Sequence, residues 1–140
     1  MAFFMNNNTL YFYQLEDKLL EINIHYRKTY KTSATKIFQK LLLNEMTTIK
    51  GRIDAIKQIF SYSYNVPIYI NQKMIFFKIF GKDKIWVNGS NIESVKKRNE
   101  KAIIIFKNGY LLEIEKNYRT IKTMYDRIIN ILDYKNGLHL

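Results

Sequence analysis

Apolar and polar positions change period twice along this chain. Residues 9–15 are aromatic and partly alternating. Residues 18–26 alternate clearly, with Leu20, Ile22 and Ile24 on one side and Glu21 and Asn23 on the other. Glu16-Asp17 between the two runs predicts a β-hairpin. The period then becomes helical. Ser33 is a candidate N-cap, and over residues 34–46 Ile37, Phe38, Leu41 and Leu42 recur at helical spacing. A second helical pattern covers residues 51–60 through Ile53, Ile56, Ile59 and Phe60. Thr47-Thr48 between them are β-branched and weaken a helix, so a break is expected near 47–51, or one long bent helix.

After Pro67 the period falls to two again. Residues 68–70, 74–80, 84–87, 92–98, 102–106 and 110–115 are short runs rich in β-branched and aromatic residues. Asn71-Gln72-Lys73, Gly81-Lys82-Asp83, Asn88-Gly89-Ser90 and Asn108-Gly109 separate them. The Asn-Gly pair predicts a tight hairpin with φ > 0 at both residues. A last helix is expected from an Asn117 cap, with Ile121, Met124, Tyr125, Ile128, Ile129 and Leu132 as its apolar stripe. Lys135 and Gly137 mark its end. The predicted fold class is α+β: an N-terminal β-hairpin, a helical segment, an antiparallel β-meander and a C-terminal helix packed on the sheet. With one proline and five glycines there is no linker. A single domain is expected over 1–140, with a core of about 9–134 and frayed ends at 1–8 and 136–140.

Composition adds charge to this picture. Twenty-three Lys and Arg against twelve Asp and Glu give +11, and the pI is about 9.7. Lys outnumbers Arg 18 to 5, as an AT-rich coding sequence alone would produce, but there are only seven Glu. A codon bias that favours Lys also favours Glu, so it does not explain the scarcity of acids. A polyanionic partner does, with nucleic acid ahead of a membrane surface. The absence of cysteine excludes disulfides, thiolate zinc sites and Cys nucleophiles. No apolar run has the length of a membrane-spanning helix. Met1-Ala-Phe-Phe-Met lacks the basic start and long apolar stretch of a signal peptide, so a cytoplasmic location and no membrane insertion are expected.

No catalytic constellation is visible. His25, at a strand end, reads as a surface histidine, and His139 lies in the tail. No His/Asp/Glu cluster has metal-ligand spacing and no glycine-rich phosphate loop occurs. Neither an enzyme nor a small-molecule substrate, cofactor or metal is expected.

The order of motifs resembles the ComK family of competence transcription regulators from about Thr9 to Leu132. Met46-Thr47-Thr48-Ile49-Lys50-Gly51-Arg52 stands where that family has Gly-Ser-Ser-Tyr-x-Gly-Arg. Val66-Pro67-Ile68-Tyr69-Ile70 matches a Pro-Ile-x-Ile segment, and Ile75-Phe76-Phe77 the aromatic strand after it. Ile85-Trp86-Val87-Asn88 matches a Trp-Ile segment, and Phe106-Lys107-Asn108-Gly109 a Phe-x-Asn-Gly hairpin. The departures are Met46 for glycine, Ile49 for tyrosine, Lys78-Ile79 for Pro-Thr, the missing cysteines and a shorter C-terminus. Residues 74–131 also resemble the LytTR DNA-binding domain, which leaves the Thr47–Arg52 block unmatched. Both are families of bacterial transcription regulators.

The ComK resemblance implies an oligomeric regulator that reads A/T-rich duplex DNA in the minor groove. A narrow A-tract groove attracts inserted Arg or Lys. Arg52, beside Gly51, is the first candidate for insertion, or it is an ion-pair partner of Glu45 or Asp54. Thr47 and Thr48, with Lys50, are candidates for phosphate contact, or the threonines cap a helix. Lys96, Lys97, Arg98 and Lys101 form the densest basic cluster, on a hairpin turn, with Lys107 and Lys116 extending it. Arg119 and Lys122 lie in the first turns of the last helix, against its dipole, which points to an anion nearby. Trp86 reads as core. The competing readings are an interaction module for a membrane surface or an acidic protein, and an RNA or single-strand binder.

Overall fold

The structure, a computed structural model, describes residues 5–81 and 84–137. Residues 1–4 and 138–140 of the expected frayed ends, His139 among them, and Lys82-Asp83 of the Gly81-Lys82-Asp83 turn lie outside the described residues. The α+β order is as expected. Strands β1 (Thr9–Gln14), β2 (Leu19–Asn23) and β3 (Arg27–Tyr30) lead into helices α1 (Ala34–Asn44) and α2 (Ile49–Phe60). Strands β4 (Ile68–Asn71), β5 (Met74–Ile79), β6 (Lys84–Asn88), β7 (Ile92–Arg98), β8 (Lys101–Phe106) and β9 (Leu111–Asn117) follow, then helix α3 (Tyr118–Lys135). Strand β3 has no periodic signal because three of its four residues are exposed.

The strands divide into two antiparallel sheets, ordered β3-β2-β1-β6-β5-β4 and β7-β8-β9. The N-terminal hairpin joins the first sheet through β1–β6 pairing, with Tyr11 opposite Val87 and Phe12 opposite Trp86. That sheet is covered on both faces. Alternate residues of β5 serve two cores: Met74 and Phe76 pack with α1, while Ile75, Phe77 and Ile79 pack with α3 and the small sheet. On the α1 side, Phe38 meets Phe76 at 4.9 Å and Trp86 at 5.1 Å between ring centroids. Trp86 is half-buried and packs one side of its ring on this core. On the other side Gly89 lets α3 approach closely, since a Cβ there would meet Ile128 Cγ1 at 2.5 Å.

Burial of both faces changes the role of two polar residues on β2. Glu21 is fully buried and accepts hydrogen bonds from Thr9 Oγ1 (2.6 Å), Tyr30 OH (3.0 Å), Tyr26 OH (3.2 Å) and Asn23 Nδ2 (3.3 Å). Residues 5–8, expected to fray, are tied to this network. Met5 is buried, Asn6 N–H donates to Thr9 Oγ1 at 3.1 Å, and Asn23 Nδ2 donates to Asn6 Oδ1 at 3.0 Å.

The Asn108-Gly109 turn differs from expectation. Only Gly109 has positive φ, at 89°, and its N–H closes the turn onto Phe106 O at 2.8 Å. This is a three-residue loop with a glycine bulge rather than a two-residue turn. The turn with two left-handed residues is Asn99-Glu100, at φ 51° and 70°, between β7 and β8. Register selects the turn type here: Arg98 pairs with Lys101, so only two residues remain to reverse the chain.

Candidate nucleic-acid interface

The basic residues singled out from the sequence fall into three places. The first lies at the start of α2. Thr48 is its N-cap, its Oγ1 accepting from Gly51 N–H at 2.9 Å. Lys50 pairs with Asp54 at 2.7 Å, and that hydrogen bond and charge raise the ammonium pKa. Arg52 pairs with neither Glu45 nor Asp54. Its Nη1 donates to Tyr69 O at 3.2 Å and its guanidinium lies 5.2 Å from the Tyr69 ring centroid, which clamps α2 to β4. Lys135, near the end of α3, sits 5.3 Å from the same ring.

Met46, between the helices, stands where the resembled motif has glycine. Its φ is 60° and its side chain is 94% exposed. Its N–H donates to Leu43 O at 3.0 Å, and Thr47 N–H donates to Leu42 O at 3.1 Å, so residue 46 is a left-handed helix stop that favours glycine. Met46→Gly is expected to stabilise the fold by about 1 kcal/mol, since no packing is lost and strain is relieved. Urea denaturation checks this, and an unchanged or lower midpoint refutes the assignment.

The second place is the outer face of the small sheet. Strand alternation splits the Lys96-Lys97-Arg98 run. Lys96 and Arg98 face outward with Lys101, while Lys97, in phase with buried Val95, turns toward α3. Arg98 pairs with Glu113 at 2.8 Å and Lys101 with Glu115 at 2.6 Å; the latter contact raises the Lys101 pKa. Lys107 lies at the opposite end of β8, about 20 Å from Lys101.

The third place is a cleft of about 470 Å³ between the β7–β8 turn and the start of α3. Lys97, Arg119 and Lys122 line it together with Asn117, Glu100 and Asp126. The left-handed Asn99-Glu100 turn aims Glu100 O at Tyr118 N–H, a 2.9 Å bond that docks the helix start onto the turn. Asn117 caps α3, its Oδ1 accepting from Arg119 N–H at 2.7 Å. The first turn holds no acidic residue, so helix dipole and side chains present the same sign to the cleft. Lys97 pairs with Glu100 at 3.1 Å and Lys122 with Asp126 at 2.6 Å; the hydrogen bond to Asp126 raises the Lys122 pKa. Exposed pairs like these contribute little to stability and exchange readily for phosphate. Arg119 is exposed and pairs with no carboxylate among the described residues. The structure therefore brings Lys97, Arg119 and Lys122 together. It leaves Arg52 beside Lys135, about 24 Å along α3 from Arg119.

A family model described as ComK protein matches residues 3–135, nearly the whole chain. The chain belongs to the ComK family. No curated protein and no solved structure gives a significant match. ComK-family proteins are competence transcription regulators, not enzymes. In this ComK-family chain the block from Met46 to Arg52 forms a helix stop, a helix cap and a clamp between α2 and β4, which explains locally why a small hydroxyl residue and a Gly-Arg pair stand there. A Cβ on Gly51 would lie 3.2 Å from Thr47 Oγ1 and 3.3 Å from Thr48 Oγ1. Among the described residues no group of three His, Asp or Glu is placed to hold a metal, and no helix is long and apolar enough to cross a membrane.

Proposed function

We propose that this ComK-family chain acts by binding A/T-rich duplex DNA, with the cleft at the start of α3 as its principal contact. The carrying observation is the convergence of Lys97, Arg119 and Lys122 on a capped helix N-terminus that has no acidic residue in its first turn. Lys97 and Lys122 take phosphates in exchange for Glu100 and Asp126. Arg119 is the side chain for the minor groove. Three of the five arginines are otherwise engaged: Arg52 on Tyr69, Arg98 on Glu113 and Arg127 on the carbonyls of Tyr64 and Asn65. Lys96, Arg98 and Lys101 on the outer face, and Lys107 beyond them, add long-range attraction. Thr48 and Arg52 act by fixing α2 rather than by touching DNA, while Thr47 and Lys50, whose pair with Asp54 is exposed, remain outlying phosphate contacts. The proposal includes self-association, so that two copies engage two A/T boxes.

The test is fluorescence-anisotropy titration of a labelled duplex carrying two A/T boxes against a GC-matched control at two salt concentrations, with sedimentation of the complex to count copies. Preference for the A/T duplex that survives the higher salt is the expected result. The Arg119→Ala/Lys122→Ala variant is expected to lose about 100-fold in affinity, near 2.7 kcal/mol, and about two units of the log–log salt slope. Arg52→Ala is expected to lower stability before it alters preference. Equal, salt-erased binding to both duplexes would overturn the reading.

A further inference from the structure

We infer that a second cleft, built on Lys78, Lys84 and Trp86, holds the phosphodiester backbone of the same nucleic acid beyond the principal contact. This rests on the proposed DNA-binding function.

The cleft follows from strand register. Lys78 on β5 stands opposite Trp86 on β6, and Lys84, two residues earlier on β6, stands opposite Gln14 on β1. Positions two apart share a face, so Lys84 and Trp86 project together and Lys78 lies beside them. They line an open cleft of about 630 Å³ together with Ser33, Thr35 and, among the described residues, the single carboxylate of Glu16. The Lys78 ammonium is 4.8 Å from the Phe80 ring centroid and 5.4 Å from that of Trp86. Aromatic rings thus fix its position and partly strip its water. Burial is the main cause, and the like charge of Lys84 the lesser one, that lower its pKa. Neither lysine pairs with a carboxylate among the described residues. Two ammonium groups crowded on one wall, one of them partly desolvated, are relieved by an anion that neutralises both.

A free small anion would fit that description alone, but the position of the cleft favours a polymer. Lys78 also borders a narrow groove shared with Lys116 and Thr120. Thr120 adjoins Arg119, at the mouth of the α3 cleft. Lys84, Lys78, Lys116, Arg119, Lys122 and Lys97 therefore follow one another around a single end of the molecule, where β5 and β9 finish and α3 begins. A continuous polyanion meets these sites in series.

Trp86 is the only tryptophan in the chain, so its emission reports on this cleft directly. The experiment titrates the A/T duplex into the protein while following both anisotropy and Trp86 fluorescence. It compares wild type with Lys78→Met/Lys84→Gln, in which methionine keeps the packing over the rings. Unchanged circular dichroism and an unchanged urea midpoint without DNA establish that the variant is folded. Wild type is expected to change its Trp86 emission on binding. The variant is expected to lose that change and about two units of salt slope while keeping its A/T preference. Retention of slope and of the Trp86 response in the variant would overturn this inference alone. An equal Trp86 response to inorganic phosphate, with slope unaltered in the variant, would assign the cleft to small anions and also overturn it. Failure of wild type to bind duplex at all would remove the DNA-binding reading and this one with it.

Discussion

Replacing Asn88 with alanine is expected to cost about 4 kcal/mol of stability. Asn88 is fully buried and makes four hydrogen bonds. Its Oδ1 accepts from Ile75 N–H at 3.1 Å and Ser90 N–H at 3.2 Å. Its Nδ2 donates to Thr9 O and to Lys73 O, both at 3.0 Å. The truncation leaves the buried amides of Ile75 and Ser90 without this partner, at roughly 1–3 kcal/mol each before relaxation, and takes one donor each from the Thr9 carbonyl, which keeps Asn91 Nδ2 at 2.9 Å, and the part-buried Lys73 carbonyl. The same residue holds β1, the β4–β5 turn and the 3-10 turn at Gly89–Asn91 in register, so both cores loosen together. Asn88→Asp separates the two halves of the network. It keeps the acceptor but sets a carboxylate oxygen against two carbonyls, and it is expected to destabilise about as much as alanine. Equilibrium urea unfolding reads both variants, and a loss below about 1 kcal/mol in either would contradict the assignment.

Glu21→Ala is the second large expected effect, at about 3–5 kcal/mol. Thr9, Asn23 and Tyr30 are buried donors that converge on this carboxylate. Its removal strands them and opens a void between β2 and β3. Because three of the donors belong to β1, β2 and β3, the loss falls on the N-terminal hairpin and on the Met5–Asn8 segment tied to it. Amide exchange in residues 9–30 is expected to rise before exchange in α3. The same cluster contributes to the loss of stability at alkaline pH. Burial first, then the Glu21 charge and hydrogen bond, raises the Tyr30 pKa above its ordinary value of 10.0, and Tyr26 is raised for the same reasons. A group with a raised folded pKa holds its proton more tightly in the native state. Its stabilising contribution is complete below about pH 10 and is lost as pH climbs through the folded value. Unfolding free energy is therefore expected to fall above about pH 10, and Tyr30→Phe to make that fall shallower. A pH series of denaturant midpoints for the two proteins decides it.

Local periodicity and capping chemistry determined much of this protein without any tertiary information. Ser33 and Asn117 sit at their caps because their short side chains reach backbone N–H groups that no helix carbonyl can satisfy, a contact entirely local in sequence. The stripe Ile121, Met124, Ile128 fixed the buried face of α3 for the same kind of reason. The excess of lysine over acid pointed to a polyanion, and the motif order identified the ComK family.

The tertiary structure alone decided what depends on distant segments meeting. The β1–β6 pairing closes one sheet from opposite halves of the chain, and no local pattern specifies it. That closure buries the polar side of β2, which turns Glu21 from an alternating surface position into the centre of a network. The two-residue turn with both residues left-handed fell at Asn99-Glu100 and not at Asn108-Gly109, because strand register fixes how many residues remain to reverse the chain. The candidate site obeyed the same rule. Lys97 and Arg98 are adjacent in sequence but face opposite sides of a strand. Arg119 and Lys97 are far apart in sequence and meet because one hydrogen bond from Tyr118 to Glu100 docks a helix start on a turn. A cluster of charges in sequence is a one-dimensional property; which of them face a common ligand is set by strand alternation and by the packing of α3 across the sheet.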